Sequence, residues 1–377
     1  MSSRPLDIVV LGLSLSSSWG NGHATTFRAL LKALAARGHR ILFLERDQSW
    51  YASHRDLTDP AYCELALYDS VAELDRWRER IARADAVMVG SYVPDGIEVA
   101  RRVRGFVREG AYLFYDIDTP VTLAAVDDAR CAYLTPDVIR LFDVYLSFTG
   151  GPTLRRLETD YGARAARPFY CSVDPDAFAP QDLPKRWDLS YLGTYSPDRQ
   201  PKLESLLLEV ARRAPDLRFA VAGSGYPADL VWPANVEWIP HLAPPELPSF
   251  YAASRFTLNL TRADMTAAGY SPSVRLFEAA ATGCPVVSDN WAGLDELFRP
   301  DQEIVIAEDA DDVLRAVREW PAERVARLGS AARAKVLGGH TASHRAREFE
   351  TYVDEALASS GAIRVGEEAS SGLAVGA

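Results

Sequence analysis

The sequence predicts an α/β protein of two domains, each built on a doubly wound parallel sheet. Three observations lead there. Short apolar runs alternate with amphipathic stretches of ten or more residues, the rhythm of strand–helix–strand units rather than of hairpins. Between Cys171 and Arg186 that rhythm stops, and Pro175, Pro180 and Pro184 interrupt a segment without periodicity. It resumes at Leu189 and runs to the final helical stretch.

Residues 7–13 form an apolar run suited to a strand buried on both faces. The loop LSLSSSWGNGH leads into the helix TTFRALLKALAARG, which Gly38 ends. A second strand, 40–44, has Glu45 at its end, and strands at 86–89 and 112–115 flank a helix over 97–108. Residues 144–148 complete the first series before the turn GGPT. The second series reads strand DLSYLG, helix PKLESLLLEVARRA, strands RFAVAG and NVEWI, helix ELPSFYAAS and strand FTLNL. A short helix and strand, then strand EIVIA and helix DADDVLRAVREW, follow. The expected domains are therefore 1–172 and 187–340, joined by a linker over 173–186 and followed by a helix over 341–358. The Gly-, Ala- and Ser-rich tail over 361–377 is expected to be disordered.

A chain of 377 residues is long enough for two domains, each with its own core, and 48% hydrophobic with 25% charged residues suits a soluble globular protein. The 41 Lys and Arg against 52 Asp and Glu leave a net charge of −11, which argues against nucleic acid or an anionic membrane as the main partner. Cys63, Cys131, Cys171 and Cys284 are widely spaced, without a C-x-x-C pair, so free thiols are expected and no metal site. The apolar stretch at the amino end is too short for a membrane span and lacks a cleavage site. The expectation is a cytoplasmic protein without a transmembrane segment.

The most informative stretch is GYSPSVRLFEAAATGCPVVSDNWAGLDEL, residues 269–297. Ser271 and Pro272 read as a helix N-cap and first helical position, and Gly283 with Pro285 beyond it as the stop. A helix N-terminus offers free N–H groups and a partial positive charge to a diphosphate. Arg275 and Glu278 lie on one face of this helix, placing a cation near the first turn and a ribose-diol acceptor one turn later. An ordinary solvated helix can carry the same pair.

This stretch resembles the donor-binding segment of GT-B glycosyltransferases of the "glycosyl transferases group 1" type, in their CgeB-like branch. The resemblance implies the GT-B fold: two Rossmann-like α/β domains facing each other across a cleft, an acceptor domain first and a nucleotide-sugar donor domain second, with the closing helix crossing back to the first. It implies that Glu278 binds the nucleotide ribose. Gly193 and Thr194, with Arg199 and Lys202, match a glycine loop and cations that contact the donor diphosphate. Gly223 matches the family's A-G-x-G loop, and His241 the region that holds the base. Arg262, Tyr270, Ser271 and Ser273 complete the expected donor site around the helix start.

In the first domain, Gly20, Asn21 and Gly22 resemble the family's acceptor or phosphate loop. His23 beside them has the right intrinsic pKa to remove an acceptor proton, and can equally be a capping histidine. The run Asp116-Ile117-Asp118-Thr119-Pro120 matches a Y-D-x-D-T-P pattern of the CgeB-like branch. Asp118 is expected to orient His23, bind an acceptor hydroxyl or act as base. One departure stands out: retaining relatives carry a glutamate eight residues before the ribose glutamate, where this chain has Tyr270.

The expected function is metal-independent transfer of a sugar, with no cofactor, from a nucleoside-diphosphate sugar (UDP-sugar first) to an unidentified acceptor. A non-catalytic nucleotide-sugar-binding protein on the same frame is an alternative. A dinucleotide-dependent oxidoreductase is a weaker one, because Gly12, Gly20 and Gly22 do not fit G-x-G-x-x-G.

Overall fold

The computed structural model describes residues 4–19 and 22–372, with side chains as far as 359. The chain divides into two compact units, Met1–Tyr170 with Ser343–Ala377, and Cys171–Ala342.

The first unit is built on seven parallel strands: β1 (Asp7–Gly12), β2 (Arg40–Arg46), β3 (Glu64–Tyr68), β4 (Ala86–Gly90), β5 (Ala111–Asp116), β6 (Val144–Ser147) and β7 (Ala166–Pro168). Their order is β3-β2-β1-β4-β5-β6-β7, so the winding reverses between β1 and β4. Every residue of β1, β4 and β5 is buried, as helices on both faces require. Val9, Val87, Tyr112 and Phe114 pack there against Leu123, Val138 and Phe142.

β3 and β7 escape a reading by hydrophobic runs because both are edge strands. β3 is half-exposed, and β7 has three residues ending in a proline that an edge tolerates. The helix Ala342–Gly372 belongs to this unit and continues past 361, where the sequence places a disordered tail; 373–377 lie outside the described residues. Glu350 on that helix receives Arg37 through two bonds of 2.5 and 2.6 Å and lies 2.8 Å from His39 Nε2.

The second unit carries six parallel strands in the order β10-β9-β8-β11-β12-β13. These are β8 (Trp187–Leu192), β9 (Phe219–Ala222), β10 (Val236–Ile239), β11 (Ser254–Asn259), β12 (Val286–Ser288) and β13 (Val305–Ile306). Here the winding reverses between β8 and β11. The expected helix PKLESLLLEVARRA is present from Gln200 to Arg213, with a π-helical turn over Glu204–Leu208. The helix Ala322–Gly339, interrupted in sequence by Gly329, is not apparent from periodicity. Among the described residues no disulfide bond joins two cysteines. Among the described residues no helix is long and apolar enough to cross a membrane.

Candidate functional site

Open α/β sheets bind ligands beyond the carboxyl ends of their strands, at the point where winding reverses. In the second unit that point lies between β8 and β11, and the candidate donor residues gather there.

Two helices follow β11, Ala263–Ala268 and then Val274–Ala281; the N-cap of the second is Ser273 rather than Ser271, which is buried. Ser273 makes no side-chain cap bond. Its hydroxyl instead donates to Asn259 Oδ1 at 2.7 Å, tying the helix start to the end of β11 and leaving the first-turn N–H groups without a side-chain cap. Arg275 donates from Nε to Leu192 O at 2.5 Å and from Nη1 to Asn259 Oδ1 at 3.1 Å, and its guanidinium lies 5.3 Å from the Tyr191 ring centroid. It is thereby anchored to the ends of both strands at the reversal.

Arg199 joins it. Its Nη2 donates to Thr194 O at 2.7 Å, whereas its buried Nε has no partner among the described residues. Burial pulls the Arg199 guanidinium below its ordinary pKa, and the positive charges of Arg275 and Arg262 act in the same direction. Arg262 lies 3.9 Å from Asp198, too far to be neutralised by a hydrogen-bonded carboxylate. Three guanidiniums therefore interact electrostatically at one crest, offset there by the carboxylate of Asp198, which acts on both Arg199 and Arg262.

Gly193 and Gly223 serve the backbone around this crest. Gly223 takes a φ of +148°, and a Cβ on it would stand 2.1 Å from Gly193 O, so the loops after β8 and β9 can meet only without a side chain there. Tyr226, which closes the run A-G-S-G-Y after β9, locks them further by donating to Gly193 O at 3.0 Å. His241 is exposed beyond β10.

Glu278 is 5% exposed, and burial drives its carboxyl up to about 7 against the opposing Arg275 charge. Tyr251 donates to it at 3.4 Å. Lys202 departs from the expected arrangement. Its ammonium is bound to the buried Asp289 and donates to Thr266 Oγ1 at 3.2 Å, so its charge is already answered within the protein. The acid comes from the end of β12, a partner that spacing along the chain does not reveal. Tyr270, where retaining relatives carry a glutamate, donates to Glu296 Oε1 at 2.8 Å.

In the first unit, Gly20 and Asn21 lie outside the described residues. Gly22 is the N-cap position of the helix His23–Ala36, which starts two residues before the expected TTFRALL run. His23 is 8% exposed and its Nδ1 has no partner among the described residues. Burial lowers its pKa and the nearby Asp118 opposes that shift. Tyr92, missed from the sequence, meets the His23 ring edge-on at 5.2 Å and has a φ of +62°. A bulky residue in that left-handed region is uncommon and marks a constrained position.

The two carboxylates of D-x-D do not act as a pair. Asp116 is fully buried and accepts from Tyr145 Oη (2.5 Å), Thr122 Oγ1 (2.8 Å) and the Asp118 N–H (3.2 Å). Burial raises its pKa to about 6. Asp118, past the strand end and partly exposed, is the N-cap residue of the helix Thr119–Asp127. β5 stops at Asp116, so the two-residue alternation that would aim both acids alike is lost.

Glu45 speaks against a dinucleotide site. It is fully buried and accepts the N–H groups of Leu15 (2.6 Å) and Ser16 (2.8 Å) and the Ser16 hydroxyl (2.6 Å). An acid that must bind a ribose diol cannot be enclosed by its own loop. Among the described residues no group of three His, Cys, Asp or Glu side chains could hold a metal ion.

Residues 199–351 match the family model described as glycosyl transferase-like, a span containing Arg199, Arg262, Arg275 and Glu278. No protein of curated function matches the sequence significantly. Several solved structures share the fold. Sucrose-phosphate synthase from Thermosynechococcus elongatus is 14% identical, with a TM-score of 0.68 over 94% of this chain and 100% of that one. Anabaena HepE in complex with UDP-glucose is 12% identical, with a TM-score of 0.65 over 94% and 100%. An alpha-glucosyltransferase in complex with UDP-glucose and DNA containing an abasic site is also 12% identical, with a TM-score of 0.72 over 93% and 100%. The fold is GT-B.

Proposed function

We propose that this chain is a glycosyltransferase that takes a hexose from a nucleoside-diphosphate sugar, UDP-sugar first, and passes it to an acceptor served by the first unit. The observation that carries the reading is the meeting of Arg199, Arg275 and Arg262 at the β8/β11 reversal, with the Arg199 Nε unanswered. A diphosphate adds negative charge where three guanidiniums face the single carboxylate of Asp198, and the helix starting at Val274 adds its N–H groups. The family match over this segment and the UDP-glucose bound in two structures of the same fold support it.

In this reading the acceptor oxygen attacks the anomeric carbon, the bond from that carbon to the diphosphate breaks, and the diphosphate leaves with the electron pair. Arg199 and Arg275 stabilise the developing charge, so the transfer proceeds without a metal ion. Lys202 acts indirectly, by holding Asp289 and the β12 loop. Glu278 receives the ribose hydroxyls. His23 takes the acceptor proton, in the neutral state that its burial favours, with Asp118 and Tyr92 fixing its surroundings. The Y-D-x-D-T-P run supports the CgeB-like branch, and cysteines without a disulfide among the described residues a cytoplasmic setting. The net charge of −11 disfavours a polyanionic acceptor such as DNA.

Calorimetric titration with UDP tests the donor site. UDP is expected to bind, and Arg199→Ala to weaken it by about tenfold, the loss of one charge-assisted contact. Wild-type protein that ignores UDP, or an unaffected variant, overturns the reading. Slow release of UDP from UDP-glucose without acceptor separates an enzyme from a mere binder.

A further inference from the structure

The short helix Leu294–Leu297 after β12 carries a carboxylate that the reading above leaves unused. Glu296 is exposed, and no Arg or Lys pairs with it among the described residues, although Asp289 seven residues earlier is buried and bound to Lys202. Only Tyr270 is shown to hold it, donating from Oη at 2.8 Å.

That contact is built with care. Tyr270 has a φ of +49°, a left-handed conformation that an aromatic residue adopts at a cost in strain. Its N–H donates to Ala292 O at 2.7 Å. Its ring covers Gly293, where a Cβ would stand 2.5 Å from Tyr270 Cδ1, and Gly293 itself has a φ of +91°. The segment entering the donor helix and the loop leaving β12 are thus fitted to each other, and the product of the fit is a positioned, solvent-facing carboxylate. On the loop between β12 and that helix, Trp291 is 5% exposed and its Nε1 has no acceptor among the described residues.

Strand order says what this carboxylate meets. Along the crest the loops follow β9, β8, β11 and β12 in turn. With the diphosphate on Arg199 and Arg275 at β8 and β11, the two remaining parts of a nucleotide sugar extend to either side. The β9 side presents aromatic rings: Tyr226 lies 5.2 Å from Trp232, and Trp232 is stacked on Trp238 at 5.9 Å. That surface suits a planar base. The β12 side presents a carboxylate, an acceptor for hydroxyl groups.

We propose that Glu296, positioned by Tyr270, is the specificity-determining residue for the donor sugar, accepting hydrogen bonds from a neutral hexose and repelling a sugar that carries a carboxylate. The inference rests on the donor-site reading above and deepens it. The carboxylate expected eight residues before Glu278 is replaced here by one brought from beyond β12.

Full-length protein is titrated with UDP, UDP-glucose and UDP-glucuronate. Glu296→Ala is expected to weaken UDP-glucose about tenfold, the loss of a hydrogen bond to a charged group, while leaving UDP within about twofold. Tyr270→Phe, which keeps the ring but releases the carboxylate, is expected to weaken UDP-glucose several-fold without affecting UDP. Wild type is expected to prefer UDP-glucose to UDP-glucuronate, and Glu296→Gln to narrow that preference. The proposal is overturned if Glu296→Ala binds UDP-glucose like wild type, if UDP weakens equally, or if wild type binds the glucuronate as tightly. Failure of wild type to bind UDP at all overturns the donor-site reading itself.

Discussion

Glu45 accepts both the backbone N–H and the hydroxyl of Ser16, at 2.8 and 2.6 Å, and the two residues are at most 1% exposed. The carboxylate organises the loop after β1 in place of a ligand. Glu45→Ala strands the donors of Leu15 and Ser16 in the interior, and each unmet buried donor costs roughly 1–3 kcal/mol. A loss of about 3 kcal/mol in the urea unfolding free energy is expected, and wild type should show no thermal shift with NAD. A shift with NAD would restore the oxidoreductase reading.

Glu278 makes the protein's pH response informative. Its folded-state pKa, near 7, exceeds the ordinary 4.5, so its contribution to stability is fully present below 4.5 and is lost as pH rises through 7. Glu278→Gln keeps the shape without the charge and is expected to stabilise the unliganded protein at pH 8 by about 2 kcal/mol, with little gain at pH 4.5. Ribose hydroxyls need the ionised acceptor, so UDP affinity should rise more steeply from pH 6 to pH 8 in wild type than in the variant. The variant keeps only the rise from the terminal phosphate's own ionisation at about pH 6. Equal pH dependence in both would remove Glu278 from the donor site.

His23 and Tyr92 meet at 5.2 Å, and their variants separate chemistry from binding. His23→Ala is expected to lower turnover by about 10²-fold or more, as for loss of a general base, with the UDP dissociation constant unchanged. Burial lowers the imidazole pKa, so the acid limb of the wild-type rate profile should lie below 6.5. Tyr92→Phe should move that limb while retaining most activity. A wild-type profile flat through pH 5 would assign the proton to another group.

His39 joins the two ends of the first unit. Its Nδ1 accepts the Leu6 N–H at 3.0 Å and its Nε2 faces Glu350 at 2.8 Å. His39→Ala leaves the buried Leu6 N–H unmet while Glu350 keeps Arg37, for a loss of about 1–3 kcal/mol in urea unfolding. Hydrogen exchange should quicken around Leu6 and Glu350 together. Exchange confined to one of them would show that the clip is not shared.

The sequence by itself determined the winding of both sheets. Strands buried on two faces read as unbroken apolar runs, and helices between them force parallel pairing, so β1, β4, β5, β8 and β11 are all visible in composition alone. Arg275 and Glu278 were legible for a similar local reason, since helical spacing puts both on one face. What lay beyond reach were relations between distant segments. Lys202 is claimed by Asp289, Asp116 by Tyr145, Glu45 by its own loop, and Tyr270 by Glu296. Each involves two ionisable or hydroxyl groups separated by 26 to 87 residues. Whether a charged side chain is free for a ligand or already answered inside depends on which strand ends the sheet order brings together. Only the tertiary structure decides that.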